Sequence, residues 1–193
     1  MEETLVFIDE GFLSKLSRHF GEGKYLKINY IKFAKNISKK QNLIFKHLFY
    51  YTAPPFQETP PIENQKKRKE GYDKFIFSFS KNKEVTIREG RCQRLKIDGK
   101  FKYKQKGVDT LMTIDLSHIK NDFPKVFKII LVACDTDFCP VVEDIKKRDV
   151  EVILYTYFER MRDSPFSRAN QLISCCSRYV CITKQDFEYA NLK

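Results

Sequence analysis

Two carboxylates, Asp135 and Asp137, stand one residue apart directly after the apolar run 129–133. The run predicts a buried strand, and Pro140 suits the first turn of a following helix. Open parallel sheets hold their ligands at the carboxyl ends of the strands. Acidic side chains at such an end, with no basic residue beside them, are typical ligands of a divalent cation. The pattern therefore predicts metal-assisted chemistry at the end of this strand.

Two further acidic residues repeat this arrangement. Asp9 follows a short apolar run near the N-terminus, and Asp109 opens an amphipathic stretch in the middle of the chain. Taken singly, Asp9 and Asp137 are also explained as helix caps, and Asp109 as a partner of its helix dipole. Taken together, their positions favour one shared site. Asp115 lies more than one and a half helical turns beyond Asp109, so we expect it to face elsewhere.

Apolar runs and helical spacing predict the elements that must position these acids. Four of the seven prolines fall in 53–64, which is therefore predicted to be a loop. The alternation of strands and helices predicts an α/β/α protein of three layers around a central, mostly parallel sheet of about five strands. Strands are predicted at 4–9, 43–52, 84–90, 129–135, 150–155 and 179–182, and helices at 11–20, 28–40, 66–81, 108–119, 139–148, 165–174 and 186–192.

Composition limits the classes of protein to which this chain can belong. A chain of 193 residues with 42% hydrophobic residues is predicted to form one domain, 1–193, with a substantial core. No apolar run is long enough to span a membrane and no signal peptide is evident, so we expect a soluble, cytoplasmic protein without a membrane partner. The six cysteines form no CxxC pair and the three histidines are scattered, which disfavours zinc and predicts free thiols.

The net charge of +11 favours a polyanionic partner. Basic residues concentrate between about 65 and 106, first at the start of a predicted helix and then on a predicted β-hairpin arm with its turn at Asp98-Gly99. On the arm they alternate with Phe101 and Tyr103, a pattern that suits a sugar-phosphate backbone and stacked bases. A solvated first turn is the favoured interpretation of the helix charges, and lysines that protect a sheet edge are an open alternative for the arm. The candidate nucleic-acid contacts are Lys66, Lys67, Arg68, Arg91, Arg94, Lys102, Lys104 and Lys106.

These motifs resemble the NYN branch of the PIN-like nucleases, a group related to the bacterial LabA proteins. The resemblance implies a PIN-like fold and a metal-dependent nuclease that usually acts on RNA. It makes Asp9, Asp109, Asp135 and Asp137 the catalytic and metal-binding acids. Thr136 stands where the family often has serine, with a hydroxyl that would assist a water or a phosphate. The matching segments, in chain order over about residues 4–182, are 7–9, 85–90, 106–109 with 114–116, and 135–138 with 140–142.

The expected metal follows from charge and ligand type. Two like charges about 4 Å apart repel by roughly 4 kcal/mol at an effective dielectric constant near 20. Four gathered carboxylates are therefore costly unless one or two cations lie between them. An all-oxygen, histidine-free set of ligands favours Mg²⁺ or Mn²⁺. The sequence thus predicts a metal-dependent endoribonuclease that hydrolyses phosphodiester bonds of single-stranded or structured RNA.

Three alternatives stay open. The family usually has asparagine three residues after the first aspartate, and Phe12 stands there instead. That departure favours a catalytically weak or inactive RNA-binding or scaffold protein. Related folds cut DNA flaps, so a structure-specific DNA nuclease is the second alternative. The third is a phosphatase-like hydrolase, because 135–137 resembles a phosphoaspartate motif, although it comes late in the chain. The exposed arm and the Phe-rich surface are also compatible with a homodimer.

Overall fold

Eight strands and eight helices alternate along the parts of the chain that the structure, a computed structural model, describes: residues 1–97, 99–160 and 164–192. A 3-10 turn, Thr136–Phe138, precedes the sixth helix. The predicted turn residue Asp98 lies outside the described residues. The strands are β1 (Glu3–Asp9), β2 (Ile44–Thr52), β3 (Val85–Glu89), β4 (Arg91–Ile97), β5 (Lys100–Lys106), β6 (Lys128–Val132), β7 (Glu151–Thr156) and β8 (Arg178–Cys181). The helices are α1 (Glu10–Phe20), α2 (Tyr30–Lys40), α3 (Glu63–Phe79), α4 (Val108–Ser117), α5 (Ile119–Asp122), α6 (Cys139–Lys147), α7 (Asn170–Cys175) and α8 (Lys184–Glu188).

The central sheet is fully parallel, with the strand order β3-β2-β1-β6-β7-β8. This confirms the predicted three-layer α/β/α fold, with six strands in the sheet instead of about five. The inner strands β1, β6 and β7 bury both faces because helices cover both sides of the sheet, whereas the edge strands β3 and β8 stay partly exposed. Alternate residues of β1 show this directly: Leu5 and Phe7 join one apolar cluster, whereas Val6 and Ile8 join the other. No helix in the described ranges is long and apolar enough to cross a membrane.

The two last predicted helices begin at other residues than expected. The prediction 165–174 is wrong at its start, because the helix begins only at Asn170. Phe166 is buried instead, with its ring centroid 4.8 Å from that of His19, and its carbonyl accepts the N–H of Glu159 at 3.0 Å. These contacts hold the segment outside a helix. The last helix begins at Lys184, before the predicted start at 186, because Thr183 and Asp186 form a capping box.

The β-hairpin arm consists of β4 and β5, which pair with each other and form a sheet separate from the central one. Residues directly opposite each other share a face, so Lys102, Lys104 and Lys106 project on the same side as Arg91. The chain enters the arm at Gly90 and leaves it at Gly107, whose φ of 80° suits glycine. The predicted basic arm is confirmed, and the four lysines of β5 form one stripe, whereas Lys96 of β4 lies on the other face opposite Phe101.

Replacing Gly90 with alanine is expected to destabilise the protein by about 1–3 kcal/mol. A Cβ atom there would lie 2.5 Å from the carbonyl oxygen of Lys106 and 2.8 Å from Cγ2 of Val108, so the base of the arm or the start of α4 must shift. Gly71, in the exposed interior of α3, has nothing within 4 Å of such an atom. Gly71→Ala is the matched control and should stabilise by about 0.5–1 kcal/mol. Urea unfolding of both variants measures the difference, and equal stabilities would contradict the close approach at Gly90.

Candidate active site

The acidic residues meet at the carboxyl edge of the central sheet. Asp9 is the last residue of β1, and β1 pairs in parallel with β6 such that Ile8 lies opposite Val132. The loop after β6 therefore begins beside Asp9. The carboxylate of Asp135 accepts the N–H of Asp137 at 3.0 Å and so caps the 3-10 turn. The turn packs against α4, which carries Asp109 in its first turn. We call Asp9, Asp109, Asp135 and Asp137 the acid cluster.

Asp9 has two roles. Its Oδ1 atom accepts the N–H of Phe12 at 3.3 Å, so it caps α1 as the cap interpretation expected. Burial raises the pKa of Asp9 to about 7, and repulsion from Asp109 and Glu10 adds to this effect. The N–H groups of Phe12 and Gly11 oppose it by favouring the charged form. A half-buried carboxylate with a raised pKa at a sheet edge is typical of functional sites.

Asp109 couples the two halves of the acid cluster. Burial raises its pKa, and repulsion from Asp135 and then Asp137 raises it further, whereas Lys106 lowers it. The neighbouring thiol of Cys134 stays neutral, because burial and then Asp9 raise its pKa to about 12. The charges of Asp135 and Asp137 therefore raise the pKa of Asp109, and the charge of Asp109 raises the pKa of Asp9. The structure brings together all four acids that the sequence singled out.

None of the four acids forms an ion pair with a described residue. By contrast, Asp73, Asp115, Asp144 and Asp186 each lie within 4.0 Å of a lysine or arginine nitrogen. Asp115 accepts hydrogen bonds from Arg88 and from the hydroxyl of Tyr51, which confirms that it faces away from the acid cluster. Unpaired carboxylates, of which Asp9 and Asp109 have raised pKa values, are the donors that a hard divalent cation would neutralise.

The carboxylate oxygens of the acid cluster fit a divalent cation in chemical type, but the four side chains lie too far apart to bind one together as they stand. Within 1–97, 99–160 and 164–192, no three His, Cys, Asp or Glu residues are grouped closely enough to hold a metal ion. Joint ligation by three of these carboxylates therefore requires side-chain rotation. Asp137 is exposed and has the freedom for it, because Phe138 and not Asp137 is the cap residue of α6. The cap interpretation of Asp137 was therefore wrong. Thr136 lies half-buried between Asp135 and Asp137 in the 3-10 turn.

The eight predicted nucleic-acid contacts differ in their surroundings. Arg68 and Lys104 line a cavity of about 780 Å³ between α1, the end of β2, α3 and the arm, here called the α1–arm cavity. Lys106 lies near Asp109. Lys67 pairs with Glu63 at 3.6 Å, and Arg94 pairs with Glu58 while its guanidinium stacks on Phe56 and Phe101. Arg94 thus holds the arm against the preceding loop. The remaining three, all exposed, are Lys66, Arg91 and Lys102.

Two polar residues near the acid cluster, Gln105 and Arg168, were not predicted. The Nε2 atom of Gln105 lies 3.5 Å from a carboxylate oxygen of Glu10, and both residues line the α1–arm cavity. A Cβ atom on Gly11 would lie 3.1 Å from the amide oxygen of Gln105 and 3.2 Å from Oδ1 of Asp9, so Gln105 reaches the site. Arg168 lines a groove of about 450 Å³ with Asp135 and Thr136. Neither Gln105 nor Arg168 carries a sequence signal, because tertiary packing alone brings them here.

The position of Phe12 in the core explains why an apolar residue stands where the family usually has asparagine. Its side chain is 4% exposed and belongs to the apolar cluster that also contains Ile8 and Leu16. It therefore contributes to the core beneath α1 and supplies no polar group to the site. The amide of Gln105, brought in by the arm, is the carboxamide that lies close to Asp9 and Gly11.

Comparison with known proteins adds a family and a fold. The NYN domain family matches residues 3–183. The fold is similar to that in the crystal structure of a protein of unknown function from Vibrio parahaemolyticus, with a TM-score of 0.57 and 19% sequence identity. The similarity covers 99% of this chain and 96% of that one. No curated protein matches the sequence.

Proposed function

The chain belongs to the NYN domain family of PIN-like nucleases, and on that premise we propose that it is a metal-dependent endoribonuclease. The observation that carries the proposal is the acid cluster. Its four carboxylates lie at the carboxyl edge of a parallel sheet, without ion-pair partners among the described residues, in a chain with a net charge of +11. Such acids suit a cation that acts on a phosphate, and the basic arm suits the strand to which that phosphate belongs.

The acid cluster would hold Mg²⁺ or Mn²⁺ through Asp9, Asp109, Asp135 and Asp137. When bound, the cation supplies an activated water and neutralises charge that develops on the phosphate. We expect Lys106, which lowers the pKa of Asp109, to contact the same phosphate. The hydroxyl of Thr136 is available to donate to a phosphate oxygen. The stripe of Lys102 and Lys104 orients the strand by contacts with its backbone.

The direct test is cleavage of a labelled single-stranded RNA in Mg²⁺, in Mn²⁺ and in EDTA. The matched DNA strand and the corresponding duplexes are tested beside it. We expect internal cuts in the RNA that need a divalent cation. Cuts in DNA flaps with RNA left intact would support the DNA-nuclease alternative instead. Salt-sensitive RNA binding without products in either metal would support the scaffold alternative, for which the buried Phe12 is the one favourable observation.

The lysine stripe of the arm makes a separate prediction about salt. The double variant Lys102→Ala, Lys104→Ala is expected to reduce the slope of log affinity against log salt concentration by about 1 to 2, because each lost phosphate contact removes close to one released counterion. Fluorescence anisotropy with a labelled RNA in EDTA measures this slope. Lys125 and Lys147 are exposed and precede β6 and β7 at the opposite edge of the sheet. Alanine at these two positions is the control and should leave the slope unchanged. An equal loss in both double variants would refute a role for the arm.

A further inference from the structure

The α1–arm cavity opens beside the acid cluster but has no role in the chemistry proposed above. Its volume of about 780 Å³ lies in the range of small-molecule sites, roughly 300–1,000 Å³. Glu10, which follows Asp9 directly, lines it together with Gln105. A strand with its scissile phosphate at the acid cluster would therefore place a neighbouring nucleotide at the mouth of this cavity.

The lining of the cavity suits an unstacked base. Tyr25 and Tyr103 contribute rings that are 52% and 53% exposed, and the guanidinium of Arg18 lies 4.2 Å from the centre of the Tyr25 ring. Aromatic faces bind bases by stacking, whatever the base. Arg68 and Lys104 also line the cavity and add positive charge, which suits the phosphates of a nucleotide. The cavity thus combines the two elements that bind single-stranded nucleic acid.

The polar groups of the cavity suit one base in particular. Ser14 donates a hydrogen bond to one carboxylate oxygen of Glu10, and Gln105 donates only a long one, of 3.5 Å, to the other. Each carboxylate oxygen accepts two hydrogen bonds, so Glu10 retains acceptor capacity. It forms no ion pair with any lysine or arginine in the described part of the chain. The carboxylate of Glu10 and the amide of Gln105 therefore lie side by side. The carboxylate offers two acceptor oxygens, and the amide N–H next to them offers a donor.

The Watson–Crick edge of guanine complements this pair. Guanine presents two adjacent donors, N1–H and the N2 amino group, which match the two oxygens of a carboxylate, and next to them the O6 acceptor, which matches an amide N–H. Adenine, cytosine and uracil each place at least one acceptor on this edge against the carboxylate. We propose that the α1–arm cavity binds an unpaired guanine of the RNA substrate, with Glu10 and Gln105 as the residues that determine specificity. This proposal rests on the proposed function, because RNA is taken as the ligand.

The test measures binding in EDTA, so that cleavage does not enter. Four labelled RNA pentamers differ only at the central base among uridines, and fluorescence anisotropy gives their affinities. We expect the guanine pentamer to bind at least about tenfold more tightly than the other three. Glu10→Gln should abolish this preference, since its amide offers one acceptor where two are needed. Glu63→Gln is the matched control, because Glu63 also lies in the first turn of a helix, exposed and outside the cavity.

Two further variants protect the test against a folding defect in Glu10→Gln. Gln105→Ala should reduce the guanine preference by removing the donor to O6, and Tyr25→Ala should weaken all four pentamers alike. Equal affinities of the four pentamers for the unmodified protein, or a preference that survives both Glu10→Gln and Gln105→Ala, would overturn the proposal. Free guanosine monophosphate should displace the labelled guanine pentamer less well than the unlabelled pentamer does. Equal displacement by the two would also overturn the proposal, because the site would then bind a free nucleotide.

The outcomes also separate this proposal from the proposed function. A guanine preference without cleavage in Mg²⁺ or Mn²⁺ would uphold the guanine site and reject the nuclease. Metal-dependent cleavage with equal binding of all four pentamers would uphold the nuclease and reject the guanine site. With both intact, we expect the cuts in longer RNAs to fall beside unpaired guanines.

Discussion

The double variant Asp135→Asn, Asp137→Asn is expected to lower metal-dependent RNA cleavage by about 100-fold or more. Both residues belong to the loop after β6, and both raise the pKa of Asp109 by repulsion. Their replacement removes half of the negative charge of the acid cluster, and with it the donors that a hard cation prefers. The fold should be retained, because the side-chain oxygen of an asparagine in place of Asp135 can still accept the backbone N–H two residues later.

Cleavage rates in Mn²⁺, with circular dichroism as a check on folding, measure the effect. The control is Asp144→Asn, which removes an acid from the neighbouring helix α6, where it pairs with Arg148 at 2.7 Å. We expect full activity from the control. A folded double variant with unchanged metal-dependent cleavage would show that these two acids are not part of the catalytic site.

The second large effect concerns stability, and its sign depends on pH. The folded pKa of Asp9 is about 7, whereas an unfolded aspartate titrates near 3.9. The folded protein therefore binds the proton more tightly, so this residue stabilises the fold below about pH 4 relative to neutral pH. That contribution is lost as the pH rises to 7 and above. A difference of about 3 pK units corresponds to roughly 4 kcal/mol.

Asp9→Asn is accordingly expected to be more stable than the unmodified protein at pH 8, by up to roughly 4 kcal/mol, and about equally stable at pH 4. Asparagine keeps the cap of α1 but cannot ionise. The charged groups that face Asp9 are Glu10 and Asp109, and both repel its charge. Urea unfolding in EDTA at pH 4, 6 and 8 measures the trend. A stability difference that does not change with pH would contradict the raised pKa of Asp9.

Asp9→Asn should also reduce RNA cleavage, so that one substitution raises the stability of the protein and lowers its activity. This opposition is expected of a site that concentrates like charges. If the proposed metal site is right, added Mn²⁺ should narrow the stability gap at pH 8, because it would bind the charged form of Asp9 and stabilise the unmodified protein more than the variant.

The sequence predicts those features of the molecule that depend on local pattern. The apolar run that includes Leu5 and Phe7 is buried on both faces, which is why β1 and its parallel neighbours were recognisable. The acid cluster followed from the rule that parallel strands end at one edge, so Asp9 and Asp135 lie at the same edge although 126 positions separate them. Its presence at this edge is an observation, whereas its ligation of a metal stays a prediction.

Features that depend on tertiary packing could not be predicted. Gln105 reaches Glu10 only because the arm folds back over α1. Arg94 was expected to contact nucleic acid, yet the structure gives it Glu58 and two aromatic rings as partners, and no periodicity indicates such a choice. Phe166 lies in the core and delays the start of α7, because one ring packed against His19 outweighs the helical preference of the surrounding residues.

The close contact at Gly90 has a consequence for how such a protein diversifies. The chain leaves the central sheet after β3 at Gly90 and begins helix α4 at Val108, and the two positions lie in close contact. The arm, residues 91–106, therefore begins and ends at positions that lie next to each other in space, as an inserted hairpin does. A shorter or longer arm can be exchanged there without moving β3 or α4. Evolution, or an engineer, is thus free to change the basic arm while the acid cluster stays in place.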